Sequence, residues 1–217
     1  MVIQLDVVEA RVMGSLVEKE LCTPEYYPLT ISALTNACNQ KSSREPIMSI
    51  TEGEVARALS SLQAKKMVFQ RSESGNRTPR FGHHIEILLE GGSLKEIAII
   101  TLLLLRGPQT SGEIRSRSGR LSEFESPAEI ESILLALSTR PTGGLVVKFP
   151  RQAGQKEARW MHLFFGLEES KKVAESISNI TALEERAVSD AKHTPDLSSI
   201  LERLTRIEAK LDQLLGQ

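Results

Sequence analysis

Between Thr51 and Ile85 the chain changes its hydrophobic period. Val55, Ala58, Leu59 and Leu62 fall on one face of a 3.6-residue helix. Thr51 followed by Glu54 is a capping-box start, in which hydroxyl and carboxylate satisfy amides that the first turn leaves unpaired. After Lys66 the pattern becomes that of strands, over 67–71 and 81–85, joined by a polar loop containing Gly75-Asn76 and Pro79. The same pattern returns downstream. Ser126 with Glu129 opens a helix, and Ile130, Ile133, Leu134 and Leu137 repeat the stripe. Residues 145–149 and 158–164 form a second strand pair, in which Arg159-Trp160-Met161-His162 echoes Arg80-Phe81-Gly82-His83. The loops 72–79 and 150–157 have equal length, so the chain carries an internal repeat.

Upstream of each helix-and-hairpin lie two more helices. Asp6 caps one running to about Leu21, with Val8, Val12, Leu16 and Val17 inward. Thr30 starts a second over 31–40, with Ile31, Leu34 and Cys38 inward, followed by a polar connection over 41–50. In the second copy, 94–105 is a very apolar helix, and 110–118 matches the stretch from Thr30, with Ile114 at the place of Leu34. Helix, helix, helix and hairpin is a winged helix. The predicted fold is mainly α with small β-hairpins (α+β). It has two tandem winged-helix domains, 1–90 and 91–166, and a C-terminal helical tail over 167–217. In the tail, 167–191 reads as one long helix, and Thr194-Pro195 restarts the chain. Leu197, Ile200, Leu204, Ile207, Leu211 and Leu214 then follow a 3-4-3-4 spacing within 194–215, a short coiled-coil seam. It predicts a homo-oligomer, a dimer or a tetramer.

Composition narrows the function. The chain has 217 residues, is 40% hydrophobic and 25% charged, and has a formal net charge of −1. That is not the bulk charge of a strongly basic nucleic-acid binder, so any positive patch must be local. Cys22 and Cys38 are isolated, the N-terminus lacks the pattern of a signal peptide, and the apolar run 97–105 is too short to span a bilayer. A cytoplasmic protein without membrane contact is expected. His83 and His84 are adjacent on a strand and therefore face opposite sides. His162 and His193 have no ligand at metal spacing, and no phosphate loop, nucleophile elbow or CxxC occurs. No enzyme, cofactor or metal site is expected.

The run Tyr27-Pro28-Leu29-Thr30, continued by Thr35-Asn36-Ala37-Cys38-Asn39-Gln40-Lys41-Ser42-Ser43-Arg44-Glu45-Pro46, resembles the signature of the bacterial YceH-like family. The likeness extends along essentially the whole chain, with Ser43 where that family's run has Asn. It implies a cytoplasmic bacterial protein with a tandem winged-helix fold, and it carries no activity with it.

Two functions fit these readings. In the first, a transcription-regulator-like protein binds duplex DNA through domain 1. Its third helix turns Gly53, Arg57, Ser60 and Ala64 outward, small residues around one arginine that can reach a guanine. Lys41, Arg44 and Lys65 flank that helix, Arg71, Arg77 and Arg80 lie on the wing, and Asn36, Asn39 and Gln40 end the second helix. Asn39 has the alternative role of a helix cap. The equivalent face of domain 2 is Ala128, Ser132, Leu135 and Thr139, without a cation and among Glu123, Glu125, Glu129 and Glu131. An exposed Leu135 there suits a protein contact. The second function is therefore an adaptor that binds another protein through its winged helices and no DNA.

Overall fold

The computed structural model describes residues 3–72, 78–151 and 157–175. In order these form α1 (Val7–Cys22), a single 3₁₀ turn (Pro24–Tyr26), β1 (Leu29–Thr30), α2 (Ile31–Cys38), α3 (Glu52–Ala64), β2 (Val68–Arg71) and β3 (Arg80–His83). They continue as α4 (Glu86–Leu89), α5 (Leu94–Arg106), α6 (Ser111–Arg117), α7 (Pro127–Ser138), β4 (Val146–Phe149) and β5 (Arg159–His162). A further helical stretch occupies 167–175. The fold is α+β, helices with small antiparallel sheets. The seam residues Leu197, Ile200, Leu204, Ile207, Leu211 and Leu214 lie outside the described residues.

Local chemistry starts the helices where the pattern placed them. Asp6, Thr30, Thr51, Ser93, Thr110 and Ser126 each accept a hydrogen bond from the amide three residues on. The box is reciprocal at α1, α3, α5 and α6. At α7 it stays open, because Glu129 takes the amide of Glu125 and the ammonium of Lys95 instead. α2 ends two residues short of its predicted length. Asn39 leaves the helix and clamps Ile50, its Nδ2 donating to the Ile50 carbonyl and its Oδ1 accepting the Ile50 amide, both at 2.7 Å.

The first sheet has one strand more than the pattern predicted. Its order is β1-β3-β2, with Leu29 opposite Phe81 and Val68 opposite His83. β1 is only two residues, and Thr30 doubles as the cap of α2, which hides it from any periodicity argument. In the second sheet β4 pairs β5, and Gln109 takes the place of β1 in a bridge to Trp160. The repeat then holds atom by atom. Arg80 Nη1 donates to the Pro28 carbonyl and Arg159 Nη1 to that of Pro108, both at 2.9 Å. His83 Nδ1 accepts from the Ile85 amide at 3.2 Å, and His162 Nδ1 from the Phe164 amide at 3.3 Å. α4, a single turn at the end of the first half, buries Leu88 and Leu89; Glu90, left-handed at φ 50°, ends it.

One hydrophobic core runs through both halves of the repeat, from Leu5 to Phe164. Its centre is α1, buried at every position from Glu9 to Val17. The expected inner face is therefore only part of what is covered: α2 and α3 pack on α1 and so does α5. α1 and α5 approach at Gly14, where a Cβ would stand 2.9 Å from Leu105 Cδ2 and 3.1 Å from Leu104 Cβ. Glu9 and Arg11 on this surrounded helix find internal partners, while the buried Ser15 hydroxyl has none among the described residues. Arg11 donates to the carbonyls of Cys38 and Pro46, and burial, then the nearby Arg44, bring its guanidinium down to about 10. Two backbone bonds fasten the halves together, Glu45 N to Leu105 O at 2.9 Å and Leu5 N to Phe164 O at 2.7 Å.

Candidate nucleic-acid interface

α3 buries Val55, Ala58, Leu59 and Leu62, so the opposite side of the helix is open. Gly53, Arg57, Ser60 and Ala64 are all exposed. A Cβ built on Gly53 finds nothing nearer than Arg57 Nη1 and Thr51 Oγ1, both at 4.0 Å, so the Arg57 guanidinium lies back towards the helix start over unoccupied space. There the Thr51 amide and hydroxyl hold the Glu54 carboxyl below its usual range, with Arg57 adding to the effect. Ser60 returns its hydroxyl to the Ala56 carbonyl. Of the other predicted residues, Asn36 on α2, Lys41 in the connection and Arg71 at the end of β2 are exposed, and Gln40 is half-buried.

Other members of the predicted set are turned into the protein. Arg44, expected to flank the helix as a phosphate contact, is 4% exposed. Its Nη1 and Nη2 grip both carboxylate oxygens of Glu18 at 3.0 and 2.5 Å, while Nε donates to the Ala37 carbonyl. Lys65 donates to both oxygens of Glu9 at 2.7 Å and to the Gln4 carbonyl at 2.9 Å. Burial pushes the Glu9 carboxyl up, but Lys65, Ser61 and the Asp6 amide outweigh it, so the group stays ionised beside its partner. Arg80 is tied to Pro28 and Asn39 to Ile50, as described. Arg77 lies outside the described residues. Counting cations near a helix cannot reveal acids that reach them from α1, 26 or 56 residues away in the chain.

In the second half Leu135 stands 50% exposed on α7, with Ser132 and Thr139 also exposed. Two of the surrounding acids are occupied. Glu129 binds Lys95, and Glu131 accepts from Lys148 at 2.5 Å and from the Trp160 indole at 3.0 Å. Away from α3, Lys19, Arg106, Arg117 and Arg120 share a cleft with Gln40 and Lys41. Nothing in the spacing of Lys19 and Arg106 along the sequence predicts that they meet.

A family model described as a protein of unknown function, DUF480, matches residues 5–155. The chain belongs to the DUF480 family. A UPF0502 protein of Vibrio atlanticus (strain LGP32) is 41% identical over 217 residues, covering 97% of this chain and 98% of the relative. One from Geobacter sulfurreducens is 51% identical over 166 residues, 76% of this chain and 74% of its own length. One from Opitutus terrae is 49% identical over 162 residues, 75% and 70% respectively. These bacterial relatives bear out the resemblance carried by residues 27–46. The DUF480 match takes in every element from α1 to β4, and hence the exposed faces of both α3 and α7. Among the described residues of this DUF480 chain, no group of three or more His, Cys, Asp and Glu could hold a metal ion. Nor is any described helix long and apolar enough to cross a membrane.

Proposed function

We propose that the chain is a cytoplasmic, non-enzymatic DNA-binding protein of the transcription-regulator kind, built from two tandem winged helices. The observation that carries this reading is the open face of α3, where Gly53, Ser60 and Ala64 are small and exposed around an exposed Arg57. A helix with small residues there can approach the floor of a major groove, and its arginine can take the two acceptors of a guanine. Lys41 and Arg71, both exposed, are available as phosphate contacts, and Arg77, in the sequence between β2 and β3, is read as a third. Asn36 and Gln40 contribute hydrogen bonds from the end of α2. The heptad seam over 194–215 pairs two copies, which doubles the contact. Because Arg44, Lys65 and Arg80 serve the fold, fewer phosphates are held than the sequence suggests, and affinity falls early with salt. Fluorescence anisotropy with labelled genomic duplexes across a salt series tests this. An intact protein that binds no duplex at low salt ends the DNA reading.

Leu135 favours a second reading. It is a large apolar side chain, half exposed on α7, the helix that corresponds to α3, with no cation at the matching positions. In this reading the chain is an adaptor and α7 docks another protein. Leu135→Glu would then abolish a contact captured from the native lysate and leave any DNA binding intact.

A further inference from the structure

The C-terminal ends of three helices meet around a cleft of about 710 Å³. α1 brings Lys19, α5 brings Arg106 and α6 brings Arg117, while Lys41 comes from the connection after α2 and Arg120 from the turn after α6. The volume lies in the range of sites for small organic ligands, roughly 300–1,000 Å³. Five cations line it against one acid, Glu18. That acid is already held by Arg44 from behind and faces Lys19 at 3.8 Å.

A bland account exists, because cations are commonly placed at helix C-termini to offset the macrodipole. Each such end carries roughly −0.5 of a charge, so three ends offset about one and a half of the cations. The lining acid offsets one more, and its own charge is largely met by Arg44. More than two positive charges remain without a counterpart in the cleft. Arg106 shows the consequence. Burial, and after it the like charge of Arg117, hold its guanidinium below the usual value, against the opposing pull of Glu45 and Glu18. Arg117 itself donates to the Gln109 side chain at 2.9 Å, which fixes it at the cleft. Concentrating like charge destabilises a fold unless a bound anion compensates. Beneath the cations Leu21, Leu102, Leu105 and Leu121 give the cleft an apolar floor, and Ser42 and Ser43 supply polar groups at its edge.

We propose that this cleft binds a small phosphorylated compound with an apolar ring system, a nucleoside phosphate being the chemistry that fits best. The arginines and lysines take the phosphoryl oxygens, and the leucine floor takes the base. The site shares Gln40 and Lys41 with the proposed DNA-binding set, but Lys19, Arg106, Arg117 and Arg120 belong to the cleft alone, so it stands whether or not α3 binds DNA. Titration calorimetry on the full chain, with metal-free ATP, pyrophosphate and adenosine as the three ligands at low salt, tests it. ATP binds at one per chain, pyrophosphate more weakly, and adenosine weakest. Arg106→Gln and Arg120→Gln each weaken ATP by about tenfold or more, as expected when a hydrogen bond to a charged group is lost. Arg120 is exposed, so its variant keeps the test open if Arg106→Gln fails to fold. Absence of binding by both anions at millimolar concentration overturns the proposal, as does ATP binding undiminished in both variants. Equal affinity for pyrophosphate and ATP removes the nucleoside from it.

Discussion

Arg44 and Arg57 lie 13 residues apart and read alike in the sequence, yet they belong to different parts of the protein. The Arg44 side chain is wholly enclosed and joined to Glu18, whereas Arg57 is exposed on α3. Removing one partner of a buried ion pair strands the other charge, so Arg44→Ala costs about 3–5 kcal/mol of stability, read from urea denaturation. Arg57→Ala shifts the same midpoint by less than about 0.5 kcal/mol, the usual range for an exposed substitution. It instead weakens a preferred duplex by about 1–3 kcal/mol and random duplex hardly at all, which anisotropy separates. If Arg57→Ala lowers affinity on every sequence alike, the residue holds phosphate rather than a base. Exposure of Arg57, Ser60 and Leu135 was legible in the sequence, because each lies opposite an apolar stripe. The fate of Arg44 and Lys65 was not, since it depends on Glu18 and Glu9 reaching them through the tertiary fold; Asn39 was legible as the cap that ends α2, but its clamp on Ile50 was not.

Among the elements, the helices were the most readable part. Their capping residues satisfy backbone amides locally, and their stripes have the helical period, so neither signal needs distant chain. β1 and α4 escaped because two and four residues are too few to show a period. Glycine separates the two kinds of helix face. Ala is the better helix former by about 1 kcal/mol, so propensity alone favours Gly→Ala anywhere in α1 or α3. At Gly53 space is open and that gain should appear as a raised melting temperature. At Gly14 the new methyl meets Leu105 and Leu104, and overpacking of about 1–3 kcal/mol outweighs the gain. Gly14→Ala should therefore melt lower and Gly53→Ala higher. Two shifts of the same sign would contradict the close approach of α1 and α5.

At the scale of the molecule, two buried histidines set a pH dependence. Burial brings His83 down to about 4, with Glu86 opposing it, and brings His162 to about 3. Each Nδ1 must stay unprotonated to accept its backbone amide. The unfolded chain takes up these protons near pH 6.5 and the folded chain does not, so the full stability is present above about 6.5 and is lost as pH falls towards 4. The loss is on the order of 3 kcal/mol for His162 and smaller for His83, whose Nε2 stands 2.9 Å from a Glu20 carboxylate oxygen; Glu9 and Glu96, held below their usual values, act in the same direction. Urea midpoints should be level from pH 8 to about 6.5 and fall from there to pH 4; a profile flat throughout would mean that these rings are hydrated. For the tail, light scattering on the full chain and on one ending near Ala191 should give a larger mass per particle only for the full chain. Equal subunit numbers in both would remove the heptad reading.

The bond between Leu5 and Phe164 and the enclosure of α1 by α5 have a consequence for the order of synthesis. A ribosome delivers residues 1–90 first. Until α5 emerges, α1 has its α2–α3 side covered and its other side, around Gly14, bare. The amide of Leu5 waits longer still, for a carbonyl made 159 residues later. The first half thus leaves the exit tunnel with an apolar helix face seeking a partner, and the second half, with Leu102 to Leu105 on a single helix, supplies it. Folding of this molecule closes its second half upon its first, and a nascent chain stalled before residue 106 carries a sticky surface that α5 later covers.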